Sequence, residues 1–344
     1  MACLTFVECS DRVTDVIPQA QRFGRAAEVV LDRALDRSVI GGFSNIGYAV
    51  RSRLPHWPAD PSPEALAGAT AVVTGASSGL GEQTASDLAA LGAEVHLVVR
   101  DESKGNSVRK KLQARHPKAR FHVWRCDLSD LNDVWTLGER MGSSLTSVDV
   151  LIHNAGALPA KRTESAQGHE LTMALHVLGP VALTEALLPR LRGSLREPRV
   201  IFITSGGMYT QALHLDDLEY TQGKYSGATA YARSKRAQVE LLETFSRAWA
   251  PVRVYATHPG WADTPGVQDS LPAFRAATKP ILRDAAAGAD TTVWLSAVQP
   301  APRTATLWHD RHSRPTHMLP TTPASRGDRA RLWLWGSPTL SGVS

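Results

Sequence analysis

Cysteine is scarce: the 344-residue chain has three, Cys3, Cys9 and Cys126, and no Cys-x-x-Cys pair. So sparse and odd a set excludes a disulfide framework or a thiolate zinc centre and fits a reducing compartment, the cytoplasm. No basic run is interleaved with aromatics, so no nucleic-acid surface is expected. The net charge of +5 is diluted by interspersed Asp and Glu and favours anionic ligands only weakly. No apolar run approaches the roughly 20 residues that span a bilayer. Met1 to Val16 mixes acids, bases and polar residues, unlike a secretory leader. With 43% hydrophobic and 21% charged residues, a packed core of one large or two small domains is feasible.

The chain divides into an N-terminal extension with a Pro-rich linker (1–66), a main domain (67–312) and a tail (313–344). In the extension, Val29 to Leu35 has helical spacing, and Val39 to Val50 is apolar but carries three glycines. Two readings are open: an amphipathic segment on a membrane surface or over the substrate mouth, or a helical extension packed on the main domain. From Ala67, short β-branched strands alternate with helices: Ala69–Thr74, Glu94–Arg100, Arg120–Cys126, Val148–His153, Arg199–Thr204, Val252–Thr257 and Ala305–Trp308 read as strands. That alternation predicts an α/β, doubly wound Rossmann fold, a parallel sheet with helices on both faces. His309, His312 and His317 match no familiar ligand spacing, so no metal is expected and the tail reads as surface.

The first strand runs into Thr74-Gly75-Ala76-Ser77-Ser78-Gly79-Leu80-Gly81 and then a helix. A helix N-terminus offers free N–H groups and a positive dipole end to a pyrophosphate. Gly75 permits the turn, Gly79 the close approach of phosphate, and Gly81 tight packing of helix on sheet, while Ser77 and Ser78 can add hydroxyl donors. The second strand ends at Arg100, where a guanidinium suits a 2′-phosphate, so NADP(H) is favoured over NAD(H). The alternative is that Asp101 takes the ribose. Asp127 and Leu128, after the third strand, fall where an adenine would lie.

Tyr231 and Lys235 stand four apart on a predicted helix and share a face. Ser205 ends the preceding strand, at the carboxyl edge of the sheet where ligands bind. A tyrosine has a pKa of about 10, and a nearby ammonium favours its phenolate. Tyr231 is then an acid/base for a substrate oxygen while hydride moves to or from a nicotinamide, with Ser205 orienting that oxygen.

Together these motifs resemble the short-chain dehydrogenase/reductase family over roughly Ala67 to Trp308. Within it, His258–Val267, Val200–Met208 and Gly288–Leu295 are most similar to the dehydrogenase/reductase member 12 group, itself similar to the retinol dehydrogenase-like branch. The resemblance implies that Asn154, Ala155 and Gly156 stabilise the sheet beside the cofactor, and that Pro259, Gly260 and Thr264 border the nicotinamide. It implies an NADP(H)-dependent carbonyl reductase or alcohol dehydrogenase, and dimers or tetramers through long helices such as Ala230–Trp249. One departure stands out: His176 occupies the place of a family asparagine that holds a helix distortion, whose main-chain carbonyl binds a water connected to the lysine. His176 either keeps that proton relay or alters it, and the alternative function is an NADP-binding protein without turnover. Trp261, Leu271, Phe274 and Met208 suggest an apolar pocket for a small lipophilic carbonyl or alcohol. The segment holding His214, Asp216, Asp217 and Tyr220, together with Trp261 to Pro280, is expected to form the substrate wall and lid.

Overall fold

The computed structural model describes residues 30–263, 275–276 and 278–341. Eight strands form one sheet in the order β3-β2-β1-β4-β5-β6-β7-β8. They are β1 Thr70–Thr74, β2 Glu94–Val99, β3 Phe121–Arg125, β4 Val150–His153, β5 Arg199–Ile203, β6 Arg253–Thr257, β7 Thr306–His309 and β8 His312–Arg314. All neighbours are parallel up to β7, and β8 closes the edge antiparallel. Alternate side chains of each strand enter opposite cores: Val72 points to one layer and Val73 to the other. Helices Gly79–Ala90, Glu102–Arg115 and Ala285–Ala297 cover one face. Leu131–Ser144, Leu171–Arg192 and Gly227–Ala248 cover the other. Connections leave β1 and β4 in opposite directions, which opens a crevice at their carboxyl ends.

The helix Leu171–Arg192 is long and apolar enough to cross a membrane by length and composition, against the expectation of no such run. It is mostly buried, and Leu178, Leu183, Leu187 and Leu191 are core residues against the sheet. The helix expected at Ala230–Trp249 is two, Gly227–Glu240 and Leu242–Ala248.

Both ends of the chain are more integrated than a linker and a surface tail. The boundary expected at 312/313 falls inside β8. The tail forms a helix, Arg326–Ser341, whose Leu332 is fully buried, and Arg329 pairs with the buried Glu240 at 3.0 Å. His309 is likewise buried, with His258 O at 2.7 Å and Gly42 O at 3.0 Å from its ring nitrogens. In the extension, residues 30–37 are helical, followed by Val39–Phe43 and Asn45–Arg51. The glycines there serve close approach: a Cβ on Gly47 would collide with the Gly41 carbonyl. Arg51, 1% exposed, binds Asp310 at 2.8 Å, Asp32 at 2.9 Å and the Gly42 carbonyl at 3.0 Å. Arg283 binds the other oxygen of Asp310 at 2.6 Å and the carbonyls of Ser44 and Gly42. The extension is therefore packed on the main domain, as one of the two sequence readings held.

Candidate active site

The crevice is a cleft of about 650 Å³ beyond the ends of β1, β4 and β5. At one end lies the glycine loop. Gly75 has φ +65°, and a Cβ there would stand 2.7 Å from the Ala155 Cα. Gly79 has φ +56°, and a Cβ on Gly81 would collide with Asn154 Nδ2 and the Gly75 carbonyl. Any side chain at 75 or 81 displaces backbone, so the cradle depends on glycine. Asn154 locks the loop by donating from Nδ2 to Thr74 O at 2.9 Å and Gly75 O at 3.2 Å, while Thr74 Oγ1 accepts from the amides of Asn154 and Ala155.

Capping separates this helix from its neighbours. Asp101, Asp130, Ser226 and Asp284 each cap a following helix with the side chain. Ser78 makes no such bond to the helix Gly79–Ala90. The N–H groups of that first turn stay available to an anion in the cleft.

At the β2 end, Arg100 and Lys104 line the cleft. Arg100 is exposed and makes no hydrogen bond or ion pair among the described residues. Asp101 Oδ1 instead accepts from the Lys104 amide at 3.0 Å, so it is committed to capping. Asp127 Oδ1 accepts from the amide and hydroxyl of Ser129, at 2.9 and 2.6 Å. These bonds hold the turn that carries Leu128 into the cleft.

At the other end stand Ser205, Tyr231 and Lys235. Burial pushes the Tyr231 phenol above its ordinary pKa, and the neighbouring Ser205 side chain opposes that shift. Burial thus reverses the direction expected from a nearby ammonium; Lys235 Nζ donates to Ile203 O at 2.8 Å and lies 5.6 Å from the centre of the Tyr231 ring. Burial alone lowers Lys235 to about 7.

His176 is fully buried behind Tyr231, ring edge to ring face at 5.3 Å, and does not line the cleft. It is a positioning residue and not one that meets a ligand. The Ala157 amide donates to its Nε2 at 3.2 Å, so the imidazole proton sits on Nδ1 and goes to Ser234 Oγ at 2.8 Å. Ser234 in turn donates to the Tyr231 carbonyl at 2.8 Å. Burial holds the His176 pKa well below its ordinary value, which keeps the ring neutral. The helix distortion survives as a π-turn over Ala174–Leu178. Pro180 has no N–H for the carbonyl four residues earlier, that of His176. Gln238 Nε2 supplies the donor at 2.5 Å.

Of the remaining expectations, Pro259, Gly260 and Trp261 line the cleft. Thr264, Leu271 and Phe274 lie outside the described residues. Met208 is a core residue at 0% exposure, not a pocket wall. The insert with His214, Asp216, Asp217 and Tyr220 lines no part of the cleft; only its borders, Gly207 and Ala228, do. Its acids pair elsewhere: Asp217 accepts from the Thr221 amide at 2.7 Å, and Asp216 meets Arg331 at 3.3 Å. Sequence reasoning missed Ala157, Leu158, Leu171 and Leu175, which form the wall beside Tyr231. The i, i+4 spacing of Leu171 and Leu175 is a signal, but core leucines share it.

A smaller cluster, Glu94, His96 and His122, lies away from this cleft on β2 and β3. Trp124 Nε1 donates to His96 Nδ1 at 2.9 Å, which leaves the proton of neutral His96 on Nε2, the atom facing Glu94. That tautomer has no lone pair to offer an ion there.

A family model described as short chain dehydrogenase matches residues 69–273. The chain belongs to the short-chain dehydrogenases. It is 37% identical over 264 residues to dehydrogenase/reductase SDR family member 12 of Bos taurus, covering 76% of this chain and 83% of the relative. It is 32% identical over 199 residues to retinol dehydrogenase 11 of Mus musculus, covering 57% and 62%. Among solved structures, the RhlG/NADP active-site complex of Pseudomonas aeruginosa superposes with a TM-score of 0.59 at 25% identity, covering 72% of this chain and 96% of that one. This short-chain dehydrogenase is thus an oxidoreductase acting on CH–OH and C=O groups, with a nicotinamide dinucleotide as the cofactor its cleft accommodates.

Proposed function

We propose that the chain is an NADP(H)-dependent oxidoreductase that interconverts a carbonyl and an alcohol on a lipophilic substrate. The observation that carries this reading is that Ser205 and Tyr231 line the same cleft as the uncapped glycine-loop helix. The nicotinamide supplies or takes the hydride when bound. Tyr231 exchanges the proton at the substrate oxygen, Ser205 donates a hydrogen bond to that oxygen, and Lys235 lies one turn along the same helix, held by Ile203 O. In reduction the carbonyl oxygen gains the Tyr231 proton as hydride reaches its carbon. The wall of Ala157, Leu158, Leu171, Leu175 and Trp261 carries no charged side chain, which supports an apolar substrate. Incubation with NADPH and a panel of aldehydes and ketones tests the reading. NADPH that binds but is never consumed would favour the alternative, a dinucleotide-holding protein without turnover, which the His176 and Lys235 arrangements motivate.

Arg100 supports the cofactor preference, because its guanidinium has no bonded partner among the described residues while Asp101 is engaged in its cap. Arg100→Ala should weaken NADPH binding by about 10- to 100-fold, the worth of a charged hydrogen-bond pair. It should change NADH binding by less than about threefold, since NADH has no 2′-phosphate for the guanidinium to bind. Titration of both nucleotides by fluorescence measures this, and equal losses would remove the 2′-phosphate assignment.

A further inference from the structure

We propose that Phe43, in the N-terminal extension, is a positioning residue for the reaction: it holds the end of the cleft that receives the nicotinamide half of the cofactor. The inference rests on the dinucleotide reading above and adds to it a residue from outside the doubly wound core. With the pyrophosphate on the glycine loop and Arg100 beyond it, the nicotinamide half falls at the end that holds Ser205 and Tyr231. Phe43 does not line the cleft. It is 6% exposed and stands behind two segments that do, one carrying Ser205 and Gly207, the other Pro259 to Ala262.

The Phe43 ring packs on both segments. Its centre lies 4.4 Å from that of the His258 ring and 6.2 Å from that of Trp261, both in edge-to-face geometry. A Cβ on Gly206 would stand 2.9 Å from a Phe43 ring carbon and 2.7 Å from His258 Nε2, so the residue after Ser205 has no room for a side chain. The Phe43 carbonyl accepts from the Trp261 amide at 2.7 Å, and the Trp261 carbonyl accepts from the Arg283 amide at 2.7 Å. His258 Nδ1 turns back to accept from the Gly260 amide at 3.1 Å. Gly260 itself has φ +76°, and a Cβ there would collide with the Arg283 guanidinium.

Residues 258–261 belong to no strand or helix, so these anchors set their position. Phe43 is itself fixed from both sides. The Gly42 carbonyl before it accepts from Arg51 at 3.0 Å and Arg283 at 3.1 Å, and the Ser44 carbonyl after it accepts from Arg283 Nε at 3.2 Å. A wall held this way is already ordered when a ligand arrives, and the ordering cost does not fall on binding. Truncating the ring opens a hollow behind both segments and removes the stop against which His258 and Trp261 rest.

Calorimetric titration of the full chain with two ligands tests the proposal without turnover: NADPH, and adenosine 2′,5′-bisphosphate, which lacks the nicotinamide half. Phe43→Ala should weaken NADPH about tenfold, because the loop must now be ordered on binding, and leave adenosine 2′,5′-bisphosphate unchanged. Phe43→Leu refills most of the hollow and should show the same selective loss at about threefold, which reads the effect even where the alanine variant does not fold. Leu191→Ala is the control for lost stability alone. Leu191 is fully buried beside Arg190, whose carbonyl accepts from the Val148 amide at 3.1 Å at the opposite edge of the sheet. It should lower the melting temperature and leave both affinities unchanged. Folded Phe43 variants that bind NADPH as the wild type does, or that lose both ligands equally, would overturn the positioning role. So would a Leu191→Ala with the same selective loss. A wild type that binds neither ligand would overturn the dinucleotide reading and this inference with it.

Discussion

Tyr231→Phe should lower kcat for carbonyl reduction by about 10²- to 10⁴-fold, the usual worth of a placed general acid/base. The substitution removes one oxygen and leaves the ring that packs on His176 at 5.3 Å, so the fold and the NADPH affinity should hold. Because the lost interaction exists only while the proton moves, kcat and kcat/KM should fall together. Ser205 would keep the Gly207 amide, which its Oγ accepts from at 3.3 Å. Stopped-flow measurement of NADPH consumption reads the chemical step directly. A mutant as fast as the wild type would take Tyr231 out of the mechanism.

The second large effect is on stability, at Asp310. Both of its oxygens are buried, one against Arg283 at 2.6 Å and the other against Arg51 at 2.8 Å, with His309 Nε2 at 3.4 Å. Against the opposing effect of burial, His309, Arg283 and Arg51 hold the Asp310 carboxyl well below the usual carboxylate range. Asp310→Ala leaves two buried guanidiniums without their shared anion, a change that costs about 3–5 kcal/mol. It also forces alanine into φ +51°, a region asparagine tolerates better. Asp310→Asn should therefore lose less than Asp310→Ala.

The pH dependence has a definite sign. A carboxyl whose folded pKa is depressed contributes its full stability above its unfolded value near 4 and loses it as pH falls toward the folded value. Asp32, lowered to about 2 mainly by its hydrogen bond to Arg314 against the opposing effect of burial, acts in the same sense. Thermal melts should show the wild type weakening below about pH 4. Asp310→Ala should already be weak at neutral pH and show a shallower fall below pH 4. A wild type equally stable at pH 2 and pH 7 would contradict this.

Much of the architecture was legible because its signals are local. Strands of β-branched residues separated by helices dictate a parallel sheet, and Gly75, Gly79 and Gly81 after the first strand mark a phosphate cradle. The Tyr231–Lys235 spacing is set by helical pitch, and the end of β2 exposes Arg100 because of where the strand stops. Signals that depend on what lies opposite a residue were not legible. Met208 is as apolar as a pocket wall but faces the core. Leu171 and Leu175 look like core residues but face the cleft. No sequence pattern tells which way Lys235 turns, or that Gln238 replaces the donor Pro180 lacks.

The family, the doubly wound sheet and the grouping of Ser205, Tyr231 and the glycine loop follow from the sequence itself, because each rests on periodicity or backbone demand. The tertiary structure alone decided that both chain ends belong to the domain. Arg51 and Asp310 are 259 residues apart in sequence and 2.8 Å apart in space. A buried ion network of that kind leaves no local trace, since its energy arises only once the partners leave water together.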